Sequence, residues 1–222
     1  MTVNDMYLLV QYAFNKSQNG VLTSEEFNRI ANLAQNSYVS FLLGSLQQYQ
    51  AGRPIARVEL GQNSVVRQRL TPVIYGYTLN VDSTGFSPYP TDYVQTDSMW
   101  SIYGYSRIRF ADQDKWFSTY NSVIDPVANN PIYKLRDTGF EFAPTTVGQA
   151  KMSYVRNPPP IYWGYVLDGN GRRVYSAINS VDPIWDDVSS LEIIVRVLQL
   201  VGVNLQVNQV IAYSNEIKNQ GQ

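Results

Sequence analysis

The stretch Asn15-Lys16-Ser17-Gln18-Asn19-Gly20-Val21-Leu22-Thr23-Ser24-Glu25-Glu26 has the spacing of a twelve-residue calcium loop. Oxygen-bearing side chains fall at loop positions one, three, five and nine, Gly20 at the sixth, an aliphatic residue at the eighth and Glu26 at the twelfth. The charge does not follow the spacing. Asn15, Ser17 and Asn19 are neutral, which leaves Glu26 as the one carboxylate at the usual ligand positions. A calcium ion held by so little negative charge is held very weakly. The same residues fit a helix hairpin better: Asn19-Gly20 turns the chain, and Thr23 with Glu26 forms a capping box for the second helix.

Two other sets of residues could do chemistry. Asp112 and Asp114 lie two apart, and Asp182, Asp186 and Asp187 lie close together, with Trp116, Trp163 and Trp185 as aromatic platforms. Paired carboxylates beside aromatic rings are the components of a sugar-binding or sugar-cleaving site. Against this, Asp182 and Asp186-Asp187 precede a helix start, where the helix dipole favours anions, and Asp112 and Asp114 sit in a loop-like stretch. Caps and turns explain them more simply. Arg53, Arg57, Arg67 and Arg69, followed by Tyr75 and Tyr77, form a basic loop that could face DNA or a protein partner.

The 222 residues contain no His and no Cys. That excludes Ser-His-Asp triads, thiol nucleophiles, disulfides and Cys- or His-ligated metals. No phosphate-cradling glycine loop is present, and no cofactor is expected. Charged residues make up only 16% of the chain and the net charge is −1, without the basic excess of a general nucleic-acid binder. In their place stand 17 Tyr, 18 Asn and 16 Gln, side chains that can be buried in contacts without shedding a charge. The charge is unevenly shared: Lys151, Arg156, Arg172 and Arg173 outweigh Asp168, whereas Asp182, Asp186, Asp187, Glu192 and Glu216 outweigh Arg196 and Lys218. Side-by-side copies could set the basic segment against the acidic end. The longest apolar stretch, Leu191 to Leu205, is interrupted by Glu192, Arg196 and Gln199, so no membrane span is expected; Met1 to Phe14 has no basic start and carries Asp5, so no signal peptide is expected, and the chain reads as soluble.

Periodicity places these residues on an α+β fold of one domain over 1–222. A helical hairpin occupies 1–52, with stripes Val3, Tyr7, Val10, Phe14 and then Phe27, Ile30, Leu33 or Ala34, Tyr38, Phe41, Leu42. A β-rich middle occupies 55–180, a mainly antiparallel sheet with long loops, its strands centred on 73–77, 100–105, 151–155 and 161–166 and a hairpin turn at Asp168-Gly169-Asn170-Gly171. Two C-terminal helices occupy 186–218. Ser189 and Glu192 suggest a capping box for the first, whose stripe reads Leu191, Ile194, Val195, Leu198, Val201. The second carries Val207, Val210, Ile211 and Ile217.

Three segments together carry a resemblance: the hairpin from Asn15 to Gln35; Lys151-Met152-Ser153-Tyr154-Val155-Arg156-Asn157-Pro158-Pro159; and the ending Leu191-Glu192-Ile193-Ile194, Val201-Gly202-Val203-Asn204-Leu205, Ile217-Lys218-Asn219-Gln220-Gly221. Their order resembles virion structural proteins of tailed phages infecting Bacteroidetes, the crAss-like group and relatives. More loosely it is similar to head-to-tail adaptors that form a ring beneath the portal. The resemblance implies a non-enzymatic virion subunit. It implies a ring, twelve-fold to match the portal, that continues the DNA channel between portal and tail, with genomic DNA passing through it without sequence-specific binding. Portal, neck and tail proteins are its implied neighbours. Tyr162, Trp163, Val207, Val210, Ile211, Tyr213 and Ile217 are the expected interface residues. The rival expectations are a carbohydrate-binding or carbohydrate-active virion protein, and a tail or capsid accessory protein outside the neck.

Overall fold

A computed structural model describes residues 1–16, 22–44, 64–102, 106–120, 126–127 and 129–202. The helices are α1 (Val3–Lys16), α2 (Ser24–Leu42), α3 (Ser64–Leu70), α4 (Gln113–Tyr120) and α5 (Asp187–Leu200). The strands are β1 (Ile74–Asn80), β2 (Phe86–Pro88), β3 (Tyr93–Ser101), β4 (Arg109–Phe110), β5 (Ile132–Leu135), β6 (Gly139–Ala143), β7 (Gln149–Arg156), β8 (Tyr165–Leu167) and β9 (Arg173–Tyr175). The fold is α+β. Its contacts sort the chain into two units where the sequence reads as one domain: Met1–Ile55 with Pro159–Gln222, and Ala56–Pro158.

The first unit joins both ends of the chain. Thr2 and Asp5 cap α1 reciprocally, the Thr2 hydroxyl accepting the Asp5 N–H and the Asp5 carboxylate accepting the Thr2 N–H. Thr23 and Glu26 form the expected capping box on α2. The cap of α5 is Asp186, whose carboxylate accepts the Ser189 N–H at 3.1 Å, rather than Ser189. Ser189 and Ser190 are buried inside the first turn, where the Ser189 hydroxyl accepts from Tyr38 at 2.9 Å. Val3, Met6, Val10, Phe27, Ala34, Tyr38, Trp163, Trp185, Ile193 and Val197 fill the interior.

The second unit is a sandwich. One sheet has the order β1-β7-β3 and the other β2-β6-β5-β4. Pairing is antiparallel except for the short β4–β5 pair. Leu79, Met99, Met152 and Tyr154 from the first sheet meet Tyr133, Phe140 and Phe142 from the second. The other side of β5 and β6 packs against α4 through Ala111, Trp116, Ile132 and Ala143. There Lys134 lies 4.5 Å from the Trp116 ring centroid and 3.1 Å from the Glu141 carboxylate.

The turn into β2 depends on Asp82. One carboxylate oxygen accepts the Thr84 hydroxyl at 2.6 Å and the Thr84 and Phe86 N–H groups at 2.9 Å each. The Thr84 hydroxyl and these backbone donors hold the carboxyl below its ordinary range. A depressed folded pKa contributes stability above the unfolded value, and that contribution is lost as pH falls through the folded value. The carboxyls of Asp5 and Glu26, held down by their Thr partners, act in the same direction. With no His to titrate, denaturation midpoints are expected to be flat between about pH 6 and 7 and to fall below about pH 4. Asp82→Asn keeps an oxygen acceptor but cannot titrate, so its acid fall should be shallower in urea titrations. A fall parallel to the unaltered protein's would count against this account.

Candidate interaction surface

Three amides on α2 hold an extended segment as a neighbouring strand would. The Asn28 side chain accepts the Trp163 N–H at 2.7 Å and donates to the Trp163 carbonyl at 3.2 Å. Asn32 repeats this with Ile161, at 2.9 and 2.8 Å. Gln35 donates to the Pro159 carbonyl at 3.0 Å, and its own oxygen accepts the Trp185 indole N–H at 2.9 Å. Pro159 has no N–H to offer, which frees that oxygen. The two periods are compatible: four helical residues rise about 6 Å and two strand residues about 6.6 Å. The ladder therefore engages every second residue of the segment.

This alternation decides which side chains face out. Ile161 and Trp163 point inward and are buried, with Trp163 only 5% exposed. Its ring lies 4.5 Å from that of Tyr7 and 5.7 Å from that of Tyr175, and its indole N–H donates to Asn4 at 3.1 Å. Trp163, expected at an interface, is thus a core residue of this unit. Its neighbour Tyr162 is 45% exposed. Tyr162 bridges Val181, and Val166 pairs with Val174 in the β8–β9 ribbon. Directly opposed residues share a face. Tyr162, Val166, Val174 and Val181 are all exposed, and Ile178 in the turn beside them is 97% exposed. Gly164 lets the two sides close up, since a Cβ there would lie 2.2 Å from the Asn179 carbonyl oxygen. The ribbon ends in the expected Asp168–Gly171 turn, where Asp168 accepts the N–H groups of Asn170 and Arg172 at 2.8 Å each.

A second apolar surface lies on α5. Ile193, Ile194, Val197 and Leu198 are buried, whereas Val188, Leu191 and Val195, at i, i+3 and i+7, are exposed. The helix is apolar on two sides, and among the described residues the unit's interior covers one of them. The ribbon carries Arg172 and Arg173 near its tip; Arg173 donates to Ser24 and pairs with Glu25 at 2.9 Å. The α5 end carries Asp186, Asp187 and Glu192.

Arg67 and Arg69 lie on the helix α3 rather than in a loop, and the Arg67 guanidinium grips both Asp97 oxygens at 3.2 and 2.9 Å. Arg53, Arg57, Val207, Val210, Ile211, Tyr213 and Ile217 lie outside the described residues. Trp116, Trp163 and Trp185 are buried and offer no platform for a sugar. Asp112 accepts the Lys115 N–H at the start of α4, Asp182 accepts the Val3 N–H at the start of α1, and Asp187 pairs with the N-terminal ammonium. Glu26 is engaged in its cap. Among the described residues no three His, Cys, Asp or Glu side chains are grouped to hold a metal ion, and no helix is long and apolar enough to cross a membrane. In the second unit, half-exposed Trp100 borders a cleft of about 420 Å³ with Ser101, Ile102 and Lys151.

The amide ladder and the outer face of α5 were not read from the sequence. The available signal was Asn28, Asn32 and Gln35 at i, i+4 and i+7, a polar row inside an otherwise apolar stripe. No protein-family model and no curated protein matches the chain.

Proposed function

We propose that the chain is a structural subunit of a tailed-phage virion, a head-to-tail connector that forms a ring below the portal and continues the DNA channel. The observation that carries this reading is the pair of separate apolar faces on the first unit, one on the ribbon and one on α5, both backed by a packed interior. Exposed apolar faces of this kind are interaction surfaces. A cyclic ring uses two different faces per subunit, one toward each neighbour. The resemblance of the three segments quoted above supports the phage assignment, and the shortage of charges suits surfaces that become buried. Twelve copies, contacts with portal and tail neighbours, and DNA passing without sequence-specific grip belong to the same proposal, as does a non-enzymatic role. The alternative of a carbohydrate-binding virion protein rests on Trp100 and its cleft alone.

The test is native mass spectrometry of the purified chain over rising concentration, with a residue-level map of the particle. A closed ring, located at the neck, is the expected result. A chain that stays monomeric and is absent from particles, or one that binds glycans through Trp100, would overturn the proposal.

A further inference from the structure

We infer that the outer face of the β1-β7-β3 sheet binds a segment of single-stranded nucleic acid, with a base stacked on Trp100 and phosphates meeting Lys151 and Arg107. This goes beyond the ring reading and does not rest on it. The three strands send Leu79, Met99, Met152 and Tyr154 inward to the core. The alternate residues face out. Thr78 is paired with Lys151, Lys151 with Trp100, and Trp100 bridges Arg107. Directly opposed residues share a face, so these four form one row across the sheet. Thr78, Lys151 and Arg107 are exposed, and Trp100 is 47% exposed. Neighbouring strands lie about 4.8 Å apart, which puts a cationic residue one strand away on each side of Trp100.

Charge, aromaticity and room select the ligand. Neither Lys151 nor Arg107 has a hydrogen-bond or ion-pair partner among the described residues. Asp97 is the one carboxylate on the three strands, and Arg67 takes both its oxygens. The segment 106–110, which brings Arg107 to the sheet edge, carries none. The row therefore holds two uncompensated cations and favours an anion. The exposed indole between them suits a polyanion that carries flat rings, and such stacking tolerates every base. A neutral sugar would need acceptors for its hydroxyls, whereas Lys and Arg only donate. Gly76, Ser153 and Ser98 form the next row on the same face, and a Cβ at Gly76 would meet nothing within 4 Å. Trp100 and Lys151, with Ser101 and Ile102, line the cleft of about 420 Å³. A base paired within a duplex is already stacked and cannot reach the indole, so the occupant is a single strand.

The experiment titrates the full-length chain into a labelled oligothymidylate of about 12 nucleotides and reads fluorescence anisotropy. Half-saturation below about 10⁻⁴ M at physiological salt is expected, with a duplex of the same length bound more weakly. Trp100→Ala should weaken binding about tenfold or more. Lys151→Gln and Arg107→Gln should each flatten the dependence of log affinity on log salt by about 0.7. All three positions are exposed, so the variants should fold by circular dichroism. Should Trp100→Ala not fold, the two charge variants carry the test. An oligonucleotide that does not bind, a Trp100→Ala variant that binds as before, or salt slopes unchanged in both charge variants overturns the inference. So does a duplex bound as tightly as the single strand, which would leave phosphate contacts without stacking. Tighter binding of heparin, an acidic glycan without bases, overturns it as well. If the chain forms a ring yet binds no oligonucleotide, the strand site falls and the ring reading stands; a monomer that binds it shows the reverse.

Discussion

Asn28→Leu is expected to lower the unfolding free energy by about 2–5 kcal/mol, although the new side chain is nearly the same size and more apolar. The Asn28 amide is 8% exposed and is the partner of both the N–H and the carbonyl of Trp163. Leu supplies neither a donor nor an acceptor. Each backbone group left unpaired away from water costs about 1–3 kcal/mol, and the gain from an extra buried apolar side chain does not cover two of them. Asn32→Leu breaks the same pair of bonds to Ile161, but Asn32 is only partly buried. Water can reach its partners, so its loss should be smaller. Urea denaturation of both variants tests the ladder. Equal losses would contradict the role given to burial, and an Asn28→Leu loss below about 0.5 kcal/mol would contradict the ladder itself.

The same ladder shows why some of the fold could be read from the sequence and some could not. Local signals were legible. The Thr23–Glu26 box, the Val3, Tyr7, Val10, Phe14 stripe and the Asp168–Gly171 turn are each decided within a few residues, and each is found. The strands at 74–80 and 149–156 announce themselves through runs of Tyr, Val and Met. Short helices were not legible. α3 and α4 have seven and eight residues, too few for a periodic stripe to stand out.

The orientation of the longer helices was read only in part. On α2 the expected stripe included Phe41, which is exposed, and left Leu33 or Ala34 open, of which Ala34 is the buried one; it left out Asn28 and Gln35, which are buried. Hydrophobicity assigns an amide to water. Only the partner strand, more than a hundred residues away in the chain, reveals that these amides face inward. On α5 the expected stripe mixed the two sides, with Ile194 and Leu198 inside and Leu191 and Val195 outside. When a helix is apolar on both sides, composition cannot tell the side that packs against its own unit from the side that stays exposed. The cap moved for a related reason: Asp186 and Ser189 are both good caps, and the burial of Ser189 against Tyr38 decides between them.

Trp163→Ala and Tyr162→Ala are adjacent truncations with opposite expected results. Trp163 is ringed by Tyr7, Tyr165 and Tyr175 and donates to Asn4. Removing so large a buried side chain leaves a cavity that rigid neighbours cannot close, and the expected loss is about 3–5 kcal/mol of stability. Tyr162, on the outward side of the same backbone, has little to lose in the isolated chain. Its truncation should change stability by no more than about 0.5 kcal/mol. It should instead weaken assembly, because a large aromatic at the centre of a contact carries more of the binding energy than its neighbours. The pair of measurements, urea denaturation of the monomer and the concentration needed for assembly, separates the two roles. Trp163→Ala should shift the first strongly. Tyr162→Ala should shift only the second. If Tyr162→Ala destabilises the monomer as much as Trp163→Ala does, the inward–outward alternation imposed by the α2 amides is wrong. If it shifts neither quantity, the alternation stands and the ribbon face is not where copies meet.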